Sequence, residues 1–385
     1  MKNLITCLVV SSISGATFAD TWTVDDDGKA DFDNIQTAVD AASDGDEILV
    51  MPGTYTGTGN SVINTTGTQL RIYSSEGPET TIIDGEESRR GIECSSDETN
   101  ETIFEGFTIT RGTFVGSTGG GLYCKNASPV FINCTFENNT AGTNGGGAHC
   151  SNGAPTFNTC RFISNTASSG AGVNTFRSAV TFNECLFVGN QASAWGGGIY
   201  SYDTSSSGTA LLLSVCTFED NTAISGAGIY CNDASHVVSD CIFLHNIAND
   251  AGGGMFNNHS SNPIITNCSF RLNEALTDTG GGIRSVTGSN PGIGDSYFCS
   301  NYHNGGNIGG NIWGSYDDLG GNEELEQCPV CQGDVDGNGI VDVTDIIAMI
   351  SAWGCTTCGA EDVNGDGIVE VNDIVILMGN WGPCE

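Results

Sequence analysis

A glycine triplet followed by an apolar residue recurs every 25 to 30 residues through the middle of the chain. It reads Gly119-Gly120-Gly121-Leu122, Gly145-Gly146-Gly147-Ala148, Gly196-Gly197-Gly198-Ile199, Gly252-Gly253-Gly254-Met255 and Gly280-Gly281-Gly282-Ile283. Two further copies carry Ala in the middle, Gly170-Ala171-Gly172-Val173 and Gly226-Ala227-Gly228-Ile229. A second phrase, Cys-x-Phe-x-x-Asn, alternates with the first at Cys134/Phe136/Asn139, Cys160/Phe162/Asn165, Cys185/Phe187/Asn190, Cys216/Phe218/Asn221, Cys241/Phe243/Asn246 and Cys268/Phe270/Asn273. A last copy, Phe298/Asn301, has Ser296 in place of the cysteine. Self-similarity at such a period marks a solenoid. The units lack a 3.6-residue apolar period, which excludes helical repeats, and they lack the Leu-x-Leu core of leucine-rich repeats. Short alternating strands punctuated by Gly and Asn remain, and they predict the coils of a parallel β-helix.

In such a coil each residue stacks on its equivalent about 4.8 Å away. Phe fills the bore, Cys acts as a small apolar filler, and Asn at a turn can form an amide ladder. The pairing of the glycine triplets with Phe-x-x-Asn over residues 107–301 resembles the repeats of polymorphic outer-membrane proteins, within the pectate-lyase-like class of right-handed parallel β-helices. That resemblance implies an all-β solenoid. Its members include adhesins and surface proteins as well as lyases, hydrolases and esterases, so it implies no single activity.

Ahead of the repeats, Ile35, Ala38, Val39 and Ala42 fall on one helical face, followed by a strand at Glu47–Val50 and a turn at Pro52–Tyr55. A solenoid must cover its first open coil, and this helix is the expected N-terminal cap, within residues 20–55. The pattern Ile-Gln-x-Ala-Val, then Asp-x-Ile-x-Val-x-Pro-Gly-Thr-Tyr, also resembles the start of pectin-esterase-like β-helix proteins and brings no catalytic residue with it. Longer spacing between the triplets at Gly196 and Gly226 places a surface loop at Asp203–Gly208. Residues 305–327 read as an irregular last coil passing into a linker, which ends the solenoid assigned to residues 20–327.

Residues 1–19 read as a secretory signal, with Lys2, an apolar run at Leu4–Val10 and Thr17-Phe18-Ala19 before Asp20. The run is too short to span a membrane, so the expectation is an exported protein without membrane insertion. Without Lys2 the chain sets 46 acidic side chains against ten basic ones, and no Lys or Arg follows Arg284. Such a surface argues against nucleic acid and anionic membrane as partners.

The segment 328–385 is built differently. Gly333-Asp334-Val335-Asp336-Gly337-Asn338-Gly339-Ile340-Val341-Asp342-Val343-Thr344-Asp345 is echoed by Glu361-Asp362-Val363-Asn364-Gly365-Asp366-Gly367-Ile368-Val369-Glu370-Val371-Asn372-Asp373. Each is followed by a short apolar helix ending in Trp-Gly, at Trp353 and Trp381. A calcium loop needs oxygen ligands at positions 1, 3, 5, 9 and 12, a carbonyl at 7 and Gly at 6. The first loop supplies Asp334, Asp336, Asn338, Ile340 (carbonyl), Asp342 and Asp345; the second supplies Asp362, Asn364, Asp366, Ile368 (carbonyl), Glu370 and Asp373. Two Ca²⁺ ions are therefore expected. Position 12 is Asp rather than Glu, and no ordinary helix precedes either loop. In both respects the segment resembles dockerin modules, small α-helical units with two EF-hand-type loops. The resemblance implies a module that folds on calcium and binds a cohesin-like receptor through positions 10 and 11, here Val343-Thr344 and Val371-Asn372. Those pairs differ from each other and from a Ser-Thr pair, which leaves another surface receptor open as partner.

Seventeen cysteines, Cys7 among them, would suggest a disulfide scaffold, but most fall on the repeat register. Buried thiols in the ladder are expected, with bridges where geometry allows. Cys328-x-x-Cys331 and Cys355-x-x-Cys358 have a zinc-site shape; disulfides that also involve Cys384 are the preferred reading.

On the repeats, alternation points Leu122 and its equivalents inward and the next residues outward: Tyr123, His149, Asn174, Tyr200, Tyr230, Phe256 and Arg284. The aromatic members, Tyr123, His149, Tyr200, Tyr230 and Phe256, are a candidate glycan face, and they could equally be covered by loops. No catalytic motif is legible. Arg111, Arg161, Arg177, Arg271 and Arg284, and the carboxylates of Asp203, Glu219, Asp220, Asp233 and Asp240, are the groups an enzyme would draw on. The reading is an exported β-helix, non-catalytic and in contact with a surface or a polysaccharide, attached through its tail. The alternative is a polysaccharide lyase or glycoside hydrolase, which the dockerin-like tail favours; a purely structural envelope protein is the third.

Overall fold

The protein, a computed structural model, is described over residues 19–114, 116–203, 210–304, 306–308, 310–329, 331–337, 339–356 and 359–384. The expected signal segment (but for Ala19), the expected loop at 203–208 (but for Asp203), Asn338 and Cys358 lie outside the described residues.

Alternation and glycine corners produce a repeating circuit of four strands. Leu122–Lys125 is followed by Val130–Ile132, Thr135–Glu137 and Thr140–Ala141, and the chain then returns as Ala148–Ser151 beside Leu122–Lys125. Repetition of the circuit builds four sheets, first to fourth in circuit order, of ten, twelve, eleven and nine strands among the described residues. Pairing is parallel throughout them except for Tyr302–His303 with Asn307–Ile308 at the end of the fourth sheet. The solenoid is a parallel β-helix, as the repeats predict.

Its bore is filled by ladders. On the third sheet Phe136, Phe162, Phe187, Phe218, Phe243, Phe270 and Phe298 stack face to face with centroids 4.4 to 5.0 Å apart. A second ladder on the second sheet, Phe104, Phe131, Phe157 and Phe182, stacks at 5.1 to 5.2 Å and meets the first edge-on, as with Phe157 and Phe162. It continues as Leu213, Val238, Ile265 and Ile293, all buried. On the first sheet the residues after the glycine triplets, Leu122 to Ile283, point into the same core.

The asparagines form the expected amide ladder. In Asn139, Asn165, Asn190, Asn221, Asn246 and Asn273 the backbone N–H and the side-chain Nδ2 both donate to Oδ1 of the next asparagine, at 2.9 to 3.2 Å. Each Nδ2 also donates to a backbone carbonyl one coil back, as Asn221 does to Phe187 O at 2.8 Å. Asn301 passes the chain of bonds to Asn311. Every buried donor and acceptor of these side chains is thereby satisfied.

The corners between sheets take left-handed backbone. After the second sheet the position is filled by Asn133, Thr159, Glu184, Val215, Asp240, Asn267 and Asp295, with φ between 47° and 56°. Asn and Asp tolerate this region; a β-branched residue does so only with strain. Thr159 and Val215 are therefore the misfits of the series, and only Thr159 has a hydroxyl that bonds locally, to Asn158 O at 2.7 Å.

Ten cysteines are buried free thiols. Those of the Cys-x-Phe ladder each donate to the carbonyl two residues earlier, at 3.1 to 3.4 Å. Ser296 does the same at 2.9 Å. Burial pushes Cys94 and Cys231 above the ordinary thiol range, which disfavours the reactive thiolate.

Helix α1 (Ile35–Ala41) starts at an Asn34 N-cap and buries Ile35, Ala38 and Val39 against the first coil, as expected of a cap. Two details depart from expectation. Gly53–Tyr55 is not a turn but the first strand of the third sheet. The last coil, irregular in a register shift opposite Asp317–Gly320 and in the antiparallel Asn307–Ile308 strand, still extends the first, second and third sheets with Ile312–Trp313, Asp317–Gly320 and Glu323–Leu325. No free linker follows, because Cys328 is disulfide-bonded to Cys299 of the preceding coil.

These contacts predict three outcomes. A thiol reagent should leave the ten buried cysteines unmodified in the folded protein and label them all in denaturant. Asn221→Leu, which strips the partners of Asn190 and Asn246, should cost on the order of 3 kcal/mol in denaturant unfolding. Val215→Asn should instead raise stability by about 1 kcal/mol.

Candidate metal centre and the outer aromatic face

The aspartates of the tail are placed by the turns they close. In the first loop Asp334 Oδ2 accepts from Gly339 N–H at 2.9 Å. Asp345 is fully buried: Oδ1 accepts from Val335 N–H at 2.6 Å and Asp336 N–H at 3.1 Å, and Oδ2 from Asp342 N–H at 2.8 Å. Asp342 caps helix α2 (Val343–Ser351) by accepting from Thr344 N–H, so Asp342 and Asp345 form a capping box. Asp334, Asp336 and Asp345 each bring an oxygen within 4.8 Å of the others.

One atom in this group has no use for the fold. Asp334 is only 5% exposed, and its Oδ1 is buried without a hydrogen-bond partner among the described residues. Burial pushes its carboxyl up, and the charges of Asp336 and Asp345 push it further. An unsatisfied buried carboxylate oxygen is costly; a hard cation among three carboxylates would offset that cost, and an all-oxygen set suits Ca²⁺. The residues present fit such an ion.

The second loop repeats the wiring. Asp362 Oδ2 accepts from Gly367 N–H at 2.8 Å, and Asp373 accepts from Asn364 and Glu370 N–H at 3.0 and 2.9 Å. Burial works to raise Asp373, but these backbone donors outweigh it and hold the carboxyl low. Asp366 sits over the turn, bonded by Asn364 Nδ2 and Ile368 N–H. Glu370 is the N-cap position of helix α3 (Val371–Gly379). Ile340 lies in a short antiparallel pairing with Pro383, and Cys331 is bridged to Cys384. Cys328 and Cys331 thus enter two separate disulfides, not a zinc site, in line with the preferred reading.

The module's small core is Val341, Met349, Val369, Leu377 and Cys384. The opposite sides of its helices are apolar and uncovered. Val343, Ile347, Ile350 and Trp353, and their counterparts Val371, Val375, Met378 and Trp381, are 53 to 65% exposed.

The aromatic line on the first sheet requires correction. Tyr123, His149, Asn174, Tyr200, Tyr230, Phe256 and Arg284 do lie in register and point away from the bore. His149, Tyr200, Tyr230 and Phe256 nevertheless keep only 7 to 9% exposure, so they are no open glycan platform. The cause is the corner that precedes them. At Gly196 φ is +63° and a Cβ would lie 2.3 Å from Ile199 O, so the fourth-sheet strand folds back tightly over the face. Trp195, at its end, packs on Tyr200 and Tyr230 with centroids 5.8 and 5.9 Å away. Tyr230 stacks on Phe256 at 4.9 Å. Burial lowers His149 to about 4, leaving a neutral ring bonded to Asn174. Tyr123, half-buried, stacks on His149 beneath Arg90. The exposed rings are the two at the rim, Trp195 (44%) and Trp313 (46%), the latter against Arg284. Alternation gives direction, not coverage, so Trp195 escaped the sequence reading; Trp313, the partner of Arg284 in the same line, escaped it because Asn311 stands where the triplet's third glycine would.

The groups put forward for catalysis are spread around the coil. Asp220, Asp233 and Asp240 are left-handed corner residues with φ of 54° to 56°, following strands of the third, first and second sheets respectively. Arg111 and Arg177 are corner residues too. Arg161 is exposed, Arg284 is paired with Asp278, and Asp203 is buried. Glu219 and Arg271 instead face the first loop of the tail: Arg271 Nη1 donates to Gly339 O at 2.5 Å.

A family model described as right handed beta helix region matches residues 47–211. No curated protein matches the chain. Among solved structures, pectate lyase Pel9A is similar at 13% identity and TM-score 0.46, over 91% of this chain and 86% of that one. A pectin methylesterase from Aspergillus niger is similar at 14% identity and TM-score 0.42, over 84% and 95%. ORF18 of Geobacillus virus E2 is similar at 14% and 0.44, over 76% of this chain, which spans 57% of its length. Among the described residues no helix is long and apolar enough to cross a membrane. Four stacked parallel sheets, the first coils of which the family model matches over residues 47–211, make the solenoid a right-handed parallel β-helix.

Proposed function

We propose that this is an exported, non-catalytic β-helix held at a surface by its C-terminal module, and that the module is a dockerin-like unit loaded with two Ca²⁺ ions. The observation that carries the reading is the twinned apolar surface on α2 and α3. Eight large apolar side chains in four matched pairs stay in solvent, although the module has a core of its own. Apolar surface of this kind marks a contact with another protein. The receptor is cohesin-like or another surface protein that accepts aliphatic residues, with Val343 and Val371 at loop position 10.

The calcium reading is supported by the orphaned Asp334 Oδ1 and by the same wiring in both loops. Ligands are Asp334, Asp336, Ile340 O, Asp342 and Asp345 in the first loop, with Asn338 from the sequence pattern. The second has Asp362, Asn364, Asp366, Ile368 O, Glu370 and Asp373. Polysaccharide contact, in this reading, falls to Trp195 and Trp313 rather than to the covered tyrosines. The placing of Asp220, Asp233 and Asp240 at three different corners supports the non-catalytic reading, since glycoside hydrolysis needs two carboxyl groups across one bond.

Chelation should abolish the circular-dichroism signal of α2 and α3 and leave the β-signal of the solenoid nearly unchanged. A tail that stays folded in chelator would sink the calcium assignment. The double variant Ile347→Asp/Val375→Asp should still bind two calcium ions but lose retention on the envelope of the cell that makes the protein; unchanged retention would remove the apolar faces from the account. Incubation of the full chain with neutral and acidic polysaccharides in calcium should give binding without new reducing ends or unsaturated products. Cleavage would make the protein a lyase or hydrolase instead.

A further inference from the structure

The tail does not hang from the solenoid; its first loop is seated on the side of it. Arg271, in the third-sheet strand Ser269–Arg271, is buried, and its guanidinium donates to the carbonyl of Gly339, the turn glycine of that loop. The same carbonyl accepts from Cys384 N–H at 2.9 Å. Arg271 is oriented by Ser269 Oγ at 2.8 Å and lies over the Tyr297 ring. Cys328 is bridged to Cys299, and its N–H donates to Ser300 Oγ. Two coils away on the same sheet, Glu219 ends the strand Thr217–Glu219. It is half-buried, and after burial the carboxylates that act on it are Asp220, Asp342 and Asp336. Asp342 and Asp336 belong to the first loop, whereas the second loop has no such contact with the wall among the described hydrogen bonds.

The geometry points to a calcium-dependent latch: the wall at Arg271 and Glu219 is the docking surface for the first loop, and the cation held by that loop decides whether it stays docked. The inference rests on the calcium reading above. With no cation the docked state sets Glu219 against Asp336 and Asp342, and the single guanidinium of Arg271 cannot balance three carboxylates at low local dielectric. A divalent ion among Asp334, Asp336 and Asp345 removes that repulsion and lets the Arg271–Gly339 bond form. The Cys299–Cys328 bridge keeps the loop within reach in either state, so docking is intramolecular and needs only a modest bias. Arg271 and Glu219 act in opposite senses. Arg271 favours docking at all calcium levels; Glu219 makes docking conditional.

The test uses the full chain and reads single residues. Calcium stoichiometry is measured directly, and phenylglyoxal modification of arginines is mapped by peptide mass spectrometry with calcium or with chelator. Arg161, exposed on the same sheet, is the reference. Arg271 should react about tenfold more slowly in calcium than in chelator, with Arg161 unchanged. Glu219→Gln, close to isosteric, should lower the calcium concentration at which Arg271 becomes protected, by about tenfold in a calcium titration. Two bound calcium ions with Arg271 equally reactive, or equally protected, in both conditions would overturn the latch and leave the calcium reading intact. A Glu219→Gln protein that protects Arg271 at the same calcium concentration as the parent would overturn the charge argument. Failure to bind calcium at all would remove the reading on which the latch rests.

Discussion

A primary amide with no water around it must find four partners inside the protein, and this fold is arranged so that each asparagine of the ladder finds them in its neighbours. An unpaired amide in an apolar setting costs about 2–7 kcal/mol. Asn165 avoids that cost by donating to Phe136 O and Asn190 Oδ1, while its own Oδ1 receives both N–H groups of Asn139. The arrangement works only if successive coils keep one register, because a one-residue slip moves every side chain to the other face. Phenylalanines stacked at 4.4 to 5.0 Å supply more buried area. Stacked rings tolerate sliding, however, and hydrogen-bonded amides do not. The amides select the register and the rings make it stable. Cysteine fits this scheme as a small apolar filler whose thiol needs one weak acceptor, which Ser296 can replace.

A ladder of this kind leaves two open ends, and the chain closes them differently. At the start α1 covers the first coil with Ile35, Ala38 and Val39. At the other end the last strands carry Asp317, Asp318, Glu323 and Glu324 into solvent, and like charges along an edge discourage pairing with another sheet. The disulfide from Cys299 to Cys328 then holds the last turn closed without a capping helix. These four acidic side chains stand where an uncharged edge would be most hazardous.

Much of this was legible because the repeats carry it. Cys-x-Phe-x-x-Asn names three ladders in one phrase, and the glycine triplets name the corner that returns the chain to the first sheet. Asp220 could also have been placed: it aligns with Asn138 in the repeat, and both are left-handed corners. What the repeats could not disclose are contacts that depend on how far one strand reaches over another. Trp195 covers Tyr200 and Tyr230 because the fourth-sheet strand ends above them, a fact without periodic signature. The second phenylalanine ladder becomes aliphatic at Leu213, so its continuity is one of volume and not of residue type. In the tail the ligand pattern was explicit. The seat on Arg271 was not, since it joins residues 68 positions apart with no shared motif.

That contact gives the tail an asymmetry its sequence conceals. The two loops are near-copies and wire their aspartates alike, yet the first lies against a wall that offers the Arg271 guanidinium and the Glu219 carboxylate, and Asp366 of the second lies in solvent. Duplicated loops in different surroundings need not have equal affinity, because the protein's own charges enter the binding free energy of each ion. On the calcium reading proposed above, an ion at the first loop would be counted against the solenoid as well as against its own ligands. Basic residues are scarce here, and none follows Arg284. The nearest compensating charge for the first loop has to come from the solenoid, and Arg271 is the residue that supplies it.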